Sequence, residues 1–369
     1  MVTKFMNTQA VIAHIAIAAN PNQFIMNFKI IKKLPNIDTI IQEFPLPQKA
    51  QQKIAKDRKE IKNIFSGKDH RLLIVVGPCS AWPYKATFHY AQKLQKLNQK
   101  LSKKLKIIMR VYTQKPRTSK GWTGPINQPD PFSPPNIEEG MRYARKLMIQ
   151  ILKLGLPIAD EAVFPHHAKG FLELLSWVAI GARSTENPEH RIFASAIDCP
   201  VGMKNPTSGS IEIAVNSLIA GQNTHTAVMN ESQVQTQGNP FAHLVLRGGI
   251  DRPNYHIEDL YHAKKSLKKA KILNPAIIVD ASHDNCKIAG IKNPDQQINV
   301  VQEVLTTLKS HPDLRKFVKG FMFESFLKNG CQKLENVTQK TLDLRGLSLT
   351  DPCLSWDQTE ELLKRIAEE

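Results

Sequence analysis

Cysteine is scarce: the 369-residue chain has five, Cys79, Cys199, Cys286, Cys331 and Cys353, and no two of them form a CxxC pair. Few, odd in number and unpaired in spacing, they argue against a disulfide framework and for a reducing compartment, so the chain is expected in the cytoplasm. A zinc ribbon is excluded as well, and any metal site must gather its ligands from distant positions. Apolar runs are short, none near the ~20 residues of a membrane span. Acidic residues are outnumbered, 33 Asp and Glu against 50 Lys and Arg, for a net charge of +17. Such an excess suits nucleic acid, anionic membranes or small acidic substrates. Its distribution decides against the first two. Lysines such as Lys264, Lys265, Lys268, Lys269 and Lys271 are scattered over solvated helix faces, with no nucleic-acid-binding signature and no interleaved aromatics.

What is present is ample apolar material, 41% of the chain, in a length that an α/β barrel with additions fills as one unit. Residues 1–25 hold a poor secretory-like run, with one lysine before it and His14 inside it. They are expected to be a disordered leader, or the product of an upstream start with Met26 as initiator. Residues 26–70 read as a loose arm and an amphipathic helix stopped at Gly67. From 71 to 369 apolar runs alternate with helical patterns. The runs LLIVVGPCS, LKIIMR, PIADEAV, VAIGARSTE, PVGMKN, LVLRGG, AIIVDASHD and VKGFMFES deliver Cys79, Arg110, Glu161, Arg183, Lys204, Arg247, His283 and Glu324. Helices are expected over 85–101, 137–154, 172–177, 188–197, 210–220, 257–272 and 297–310. Eight strands with polar C-terminal tips, separated by helices, predict a (β/α)8 barrel with its site on the C-terminal face. Residues 225–230 read as the start of another strand, followed by a ribbon inserted at about 231–240, near the sixth barrel strand. Asp351 follows the last strand and is expected to cap the same face.

The tips fall into two chemical groups. Arg110, Lys115, Arg117, Arg183, Lys204 and Arg247 are cations. Any one of them could be a surface charge, but six at successive strand ends would repel one another unless anions fill the mouth, which implies phosphorylated or carboxylated ligands. Cys79, His283, Glu324 and Asp351 are one thiol, one imidazole and two carboxylates, a mixed donor set that suits one divalent metal, with Zn, Fe(II), Mn(II) and Co(II) all open. Glu161 and Asp280 read as partners that orient a lysine or a histidine. Cys353 is expected near Cys79 and able to bridge to it on oxidation.

Several stretches together carry a resemblance: GPCS at 77–80, MRVYxxKPRT at 109–118, GWxGxIN at 121–127, GARSTE at 181–186, PVGMKNPTSG at 200–209, GNPxxHxxLRGG at 238–249, SH at 282–283, FES at 323–325 and TD at 350–351. In this order they resemble the type I 3-deoxy-D-arabino-heptulosonate 7-phosphate (DAHP) synthases, from about Ile37 to the C-terminus. The resemblance implies a metal-dependent (β/α)8 barrel that condenses phosphoenolpyruvate with erythrose 4-phosphate, the first step of the shikimate pathway. It makes Cys79, His283, Glu324 and Asp351 the metal ligands. It gives Arg110, Lys115, Arg183, Lys204 and Arg247 to phosphoenolpyruvate, and Arg117 with Thr118 to the aldose phosphate. It also implies an aromatic amino-acid effector and a homodimer or homotetramer, built with the additions outside the barrel.

The chain departs from the family pattern at Ala81-Trp82-Pro83, Asn329-Gly330-Cys331 and Val228-Met229-Asn230, and in AVFPHHAKG after Glu161, where the effector pattern is altered. Two rival expectations follow. One is an impaired paralogue that binds metabolites or serves as a regulatory subunit; the other is a phosphoenolpyruvate-condensing synthase for a longer aldose phosphate.

Overall fold

Eight short runs rich in Ile, Val, Leu, Ala and Met, almost all of their residues buried, are the parallel strands of a closed barrel in the computed structural model. The structure describes residues 27–117, 121–163, 169–229 and 231–369. The chain comprises two units, Met1–Leu34 and Pro35–Glu369. Of the first, the described stretch 27–34 has no regular element. The expected leader at 1–25 lies outside the described residues.

The barrel strands are Leu72–Gly77, Leu105–Arg110, Ile158–Glu161, Trp177–Ile180, Val201–Lys204, Ala242–Leu246, Ile277–Asp280 and Val318–Glu324, referred to below as the first to the eighth. Each pairs in parallel with its successor, and the eighth closes on the first, with Gly77 opposite Glu324. Side chains alternate between two surroundings, as strand geometry requires. Leu73 and Val75, with Ile108, Ala159, Trp177, Ala179, Val245, Ile278 and Met322, form the inner cluster, whereas Ile74, Val76, Ile107 and Met109 pack in the outer one with the helices. The Trp177 indole occupies the interior because the fifth strand has Gly202 there; a Cβ at that position would lie 2.2 Å from Trp177 Cζ2. Local signals start the helices. Asn136, Ser210 and Ser355 accept from backbone amides of Ile137–Lys153, Ile211–Gln222 and Trp356–Glu368, and Pro188 opens Pro188–Ala196 behind the Asn187 cap.

The helix Gln48–Phe65 closes the N-terminal end of the barrel. Ile61, Ile64 and Phe65 are buried in the inner cluster, each worth about 1.5–3 kcal/mol. Asp57 and Glu60 of the same helix receive Lys106 Nζ at 2.5 and 2.7 Å. The helix expected within 26–70 is therefore part of the barrel's core rather than an addition to it. Two further expectations are corrected. The helix expected over 172–177 is a three-residue 3-10 turn, Leu172–Leu174, because Trp177 is drawn into the barrel as the first residue of the fourth strand. The run at 225–230 is not a barrel strand. Thr226–Met229 pairs antiparallel with Ser232–Gln235 in a ribbon of its own, with alternating residues exposed and Val228 80% exposed. A second, unforeseen hairpin pairs Lys287–Ile288 with Ile291–Lys292.

His243, near the closed end, sits against Phe65 with ring centroids 4.0 Å apart and accepts at Nε2 from Trp177 Nε1 at 3.1 Å. It is held neutral: burial lowers its pKa from 6.5 to about 4. Between these values the unfolded chain binds a proton that the folded barrel refuses, so stability falls as pH falls, by up to about 3 kcal/mol. Urea unfolding between pH 7 and 4.5 is expected to show a smaller loss in His243→Gln than in the parent. An identical pH dependence in both would refute this assignment.

Candidate active site

At the opposite end the strand tips converge. Arg110, last residue of the second strand, is fully buried and donates Nη2 to Glu324 Oε1 at 2.8 Å across the first strand. Its guanidinium lies 4.2 Å from the Tyr112 ring. Two residues past the first strand, Cys79 takes Lys115 Nζ, which donates to the Cys79 carbonyl at 2.8 Å and approaches Sγ at 3.1 Å. Lys204 ends the fifth strand with Nζ 3.0 Å from Asp280 Oδ2, the tip of the seventh. His283 Nδ1 lies 2.9 Å from the same oxygen, and His283 Nε2 turns toward Glu324 Oε1 at 3.9 Å. Arg247 ion-pairs with Asp284. Asp351 Oδ2 accepts from Lys292 Nζ at 2.5 Å.

The electrostatics follow from this pairing. Burial pushes the Cys79 thiol up, and the Glu324 carboxylate adds to that. Burial alone would raise the Glu324 carboxyl too, but His283, Arg110 and Lys115 hold it far below the usual range. Burial disfavours charge on Lys115, yet Cys79 and Glu324 keep its pKa above the ordinary lysine value. Burial and Glu324 act upward on Asp351, but Lys292, His283 and Lys115 together outweigh them and hold its pKa below the usual value.

These pairs correct one expectation. The cations are not left to repel one another until a ligand arrives, because Glu324, Asp280 and Asp284 already balance Arg110, Lys204 and Arg247. The balance is incomplete: among the described residues, the buried Nε and Nη1 of Arg110 and Nε of Arg247 have no hydrogen-bond partner. Such donors are costly unless an anion meets them. Arg117 is exposed at the rim and donates Nε to the Trp122 carbonyl at 2.8 Å. Arg183 reaches the Pro116 carbonyl at 3.4 Å, so the fourth strand's loop meets the loop that carries Arg117. Glu161 ends the third strand opposite Gly181, where any Cβ would fall 2.0 Å from its Oε1. Thr118 lies outside the described residues.

A divalent metal ion fits part of the expected tetrad. Cys79, Glu324 and Asp351 offer one sulfur and two carboxylate oxygens, all within 4.8 Å of one another. His283 stands beside this group without belonging to the mutual set. Its Nδ1 lies 2.9 Å from Asp280 Oδ2, and its Nε2 lies 3.5 Å from Lys204 Nζ and 3.9 Å from Glu324 Oε1. Sequence reasoning missed Asp284 and Lys292. Lys292 was detectable, since Lys287-Ile288-Ala289-Gly290-Ile291-Lys292 is symmetric about a two-residue turn whose φ values, 48° and 81°, are both positive.

Two of the unusual stretches are structural. Trp82 donates Nε1 to the Pro129 carbonyl and meets Trp122 edge-on at 6.1 Å. Gly330 exchanges both backbone hydrogen bonds with Cys353, while Asn329 bonds Asp295 and Gln358. Neither removes a residue from the mouth described above. Asn230 and residues 164–168 lie outside the described residues.

A closed (β/α)8 barrel whose open end gathers cations beside a thiol–carboxylate group defines an enzyme class that handles small, multiply anionic substrates. Residues 45–364 match the DAHP synthetase I family. A Trp-sensitive phospho-2-dehydro-3-deoxyheptonate aldolase of Enterobacter agglomerans is 40% identical over 335 residues, 89% of this chain and 93% of that relative. A Tyr-sensitive one of Escherichia coli strain K12 is 39% identical over 329 residues, 88% of this chain and 89% of that relative. The solved phospho-2-dehydro-3-deoxyheptonate aldolase of Francisella tularensis SCHU S4 superposes with a TM-score of 0.86 at 36% identity, covering 93% of this chain and 98% of that one. The chain belongs to the DAHP synthetase I family. It condenses phosphoenolpyruvate with erythrose 4-phosphate and water to give DAHP and phosphate, the first step of the shikimate pathway.

Cys353 is buried near Cys79, and burial, Glu324 and the Cys79 thiol all push its own pKa up. Mild peroxide is expected to join Cys79 and Cys353 in a disulfide, the two thiols losing two protons and two electrons to peroxide, which becomes water. Peptide mapping that finds neither cysteine bridged would refute the pairing.

Proposed function

We propose that the condensation takes place at this mouth, with Cys79, His283, Glu324 and Asp351 holding one divalent metal ion, Mn, Fe, Co or Zn. The observation that carries the reading is the set of buried, incompletely paired guanidinium donors beside a metal-sized group of anionic ligands. When bound, the metal supplies Lewis acidity to the aldehyde oxygen. Arg110, Lys115, Arg183, Lys204 and Arg247 grip the carboxylate and phosphate of phosphoenolpyruvate. They fix its C3 against the aldose carbonyl, and proximity removes most of the entropic barrier to the new carbon–carbon bond. Lys115 presents its ammonium where the former aldehyde oxygen gathers negative charge. Glu161 and Asp280 orient neighbouring lysine and histidine side chains; Asp280 contacts both Lys204 and His283. Water adds at C2 and phosphate leaves. Arg117 and Thr118 receive the phosphate of erythrose 4-phosphate at the rim.

The same reading extends to regulation. A cavity of about 1210 Å³ lies away from the mouth, lined by Ile41, Gly170, Leu172, Phe193, Cys199 and Met229 among others, where the helices Ile37–Glu43 and Pro188–Ala196 meet the ribbon. It is roomy, largely apolar and rimmed by Arg58, Lys169, Glu173 and Asp198, which suits the ring and zwitterionic end of an aromatic amino acid. We assign it to the effector and the exposed ribbon face, with Val228, to contact with a second copy in a cytoplasmic homodimer or homotetramer.

Three outcomes test these roles. Cys79→Ala is expected to lose metal retention while unfolding at the parent's temperature; full metal content by elemental analysis would exclude the ligand set. Losing one charge-assisted contact to a desolvated phosphate costs about 2–5 kcal/mol, or roughly 30-fold to several thousandfold. Arg117→Ala should therefore weaken use of erythrose 4-phosphate far more than calorimetric binding of phosphoenolpyruvate, and Arg247→Ala the reverse; the opposite pattern would exchange the two subsites. Finally, Ala196→Trp, which puts an indole into the cavity from its wall, is expected to abolish the enzyme's response to whichever of phenylalanine, tyrosine and tryptophan inhibits the parent. An unchanged response would place the effector elsewhere.

A further inference from the structure

Each member of the candidate metal group has a cation of its own beside it. Cys79 Sγ has Lys115 at 3.1 Å, Glu324 Oε1 has Arg110 at 2.8 Å, and Asp351 Oδ2 has Lys292 at 2.5 Å. Arg110 and Lys115 have a second task in substrate binding. Lys292 has none so far, and it arrives from a different source: the short hairpin after the seventh strand, rather than a strand tip. That hairpin carries exposed Ile288 and Ile291 at its turn and two lysines at its base, of which Lys287 pairs with Asp284 at 2.6 Å and Lys292 with Asp351. At that base the Lys292 side chain is only 25% exposed and the Asp351 side chain 38%. Lys292 therefore covers the one ligand of the group that is supplied after the last barrel strand.

A divalent ion and an ammonium cannot both use the same carboxylate oxygen at contact distance without strong repulsion. We propose that Lys292 competes with the metal ion for Asp351, so that a metal entering the Cys79–Glu324–Asp351 group displaces the Lys292 ammonium, and this contest sets metal affinity below what the three ligands alone would give. The inference rests on the metal-site reading above. Lys292 is thus a positioning residue: its ammonium holds the Asp351 carboxylate while no metal is bound, and yields when one enters.

The test is calorimetric titration of Mn(II) alone into the chelator-stripped full-length protein, in the parent, K292M, K292R and C79A. Removing one positive charge about 5 Å from a divalent ion is expected to tighten binding by roughly tenfold or more, even with water-like screening. K292M should therefore bind Mn(II) more tightly than the parent and lose it more slowly to excess chelator. K292R, which keeps the charge, should stay within about threefold of the parent. Equal or weaker binding by K292M overturns the proposal, as does K292R binding as tightly as K292M. C79A reports on the underlying site separately: if it binds Mn(II) as the parent does, the metal-site reading fails whatever Lys292 does. Should K292M prove unfolded by its thermal transition, K292Q in the same titration carries the same expectation and the same refutation.

Discussion

The Arg110–Glu324 pair is the interaction on which the open end of this barrel depends. Both groups are wholly buried, and the 2.8 Å contact spans the first strand, joining the tips of the second and eighth. Isolated burial of either charge would cost several kcal/mol, and even a good pair seldom recovers all of that. The pair is therefore poor material for stability alone. What it supplies is charge held at fixed positions: a guanidinium with two donors left over and a carboxylate whose second oxygen accepts from Ser282 Oγ at 2.8 Å. Around it the remaining charges take defined places, with Asp280 between Lys204 and His283, and Lys115 on Cys79.

The two ends of the barrel divide the labour. At the closed end, Gln48–Phe65 supplies apolar side chains to the interior and carboxylates to Lys106, an arrangement that serves cohesion. At the open end, short loops carry groups whose pairing leaves capacity for a ligand. Trp82 and Gly330 show how a local change of residue at that end is absorbed. The first packs against Trp122 and the second extends the backbone pairing around Cys353, so the polar set is left in place.

Much of this was legible in the sequence. Continuous apolar runs marked the strands, because burial on both faces leaves no alternation, a helical period marked most helices, and polar residues at the strand ends marked the mouth. The failures have physical causes. Trp177 looked helical in its local setting, yet tertiary burial drew its indole into the space that Gly202 leaves, which no local pattern encodes. The Thr226–Met229 run has strand-forming residues but pairs only with Ser232–Gln235, and pairing partners are not a property of one segment. Charge counting found six cations at the mouth but not their partners. Asp284 and Lys292 become relevant only when the loop after the seventh strand folds, setting the first on Arg247 after the sixth strand and the second on Asp351 after the eighth.

The filled interior has a consequence for traffic. Trp177, His243, Phe65 and Ile64 fill the barrel toward its closed end, so among the described residues the way into the interior is from the open end. Whatever rests against Arg110 and Lys204, both buried, must arrive before whatever rests against Arg117 at the exposed rim. Departure runs in the opposite order, with the outer occupant leaving first. The order of loading and release is therefore set by depth in a blind-ended vessel, before any difference in affinity enters.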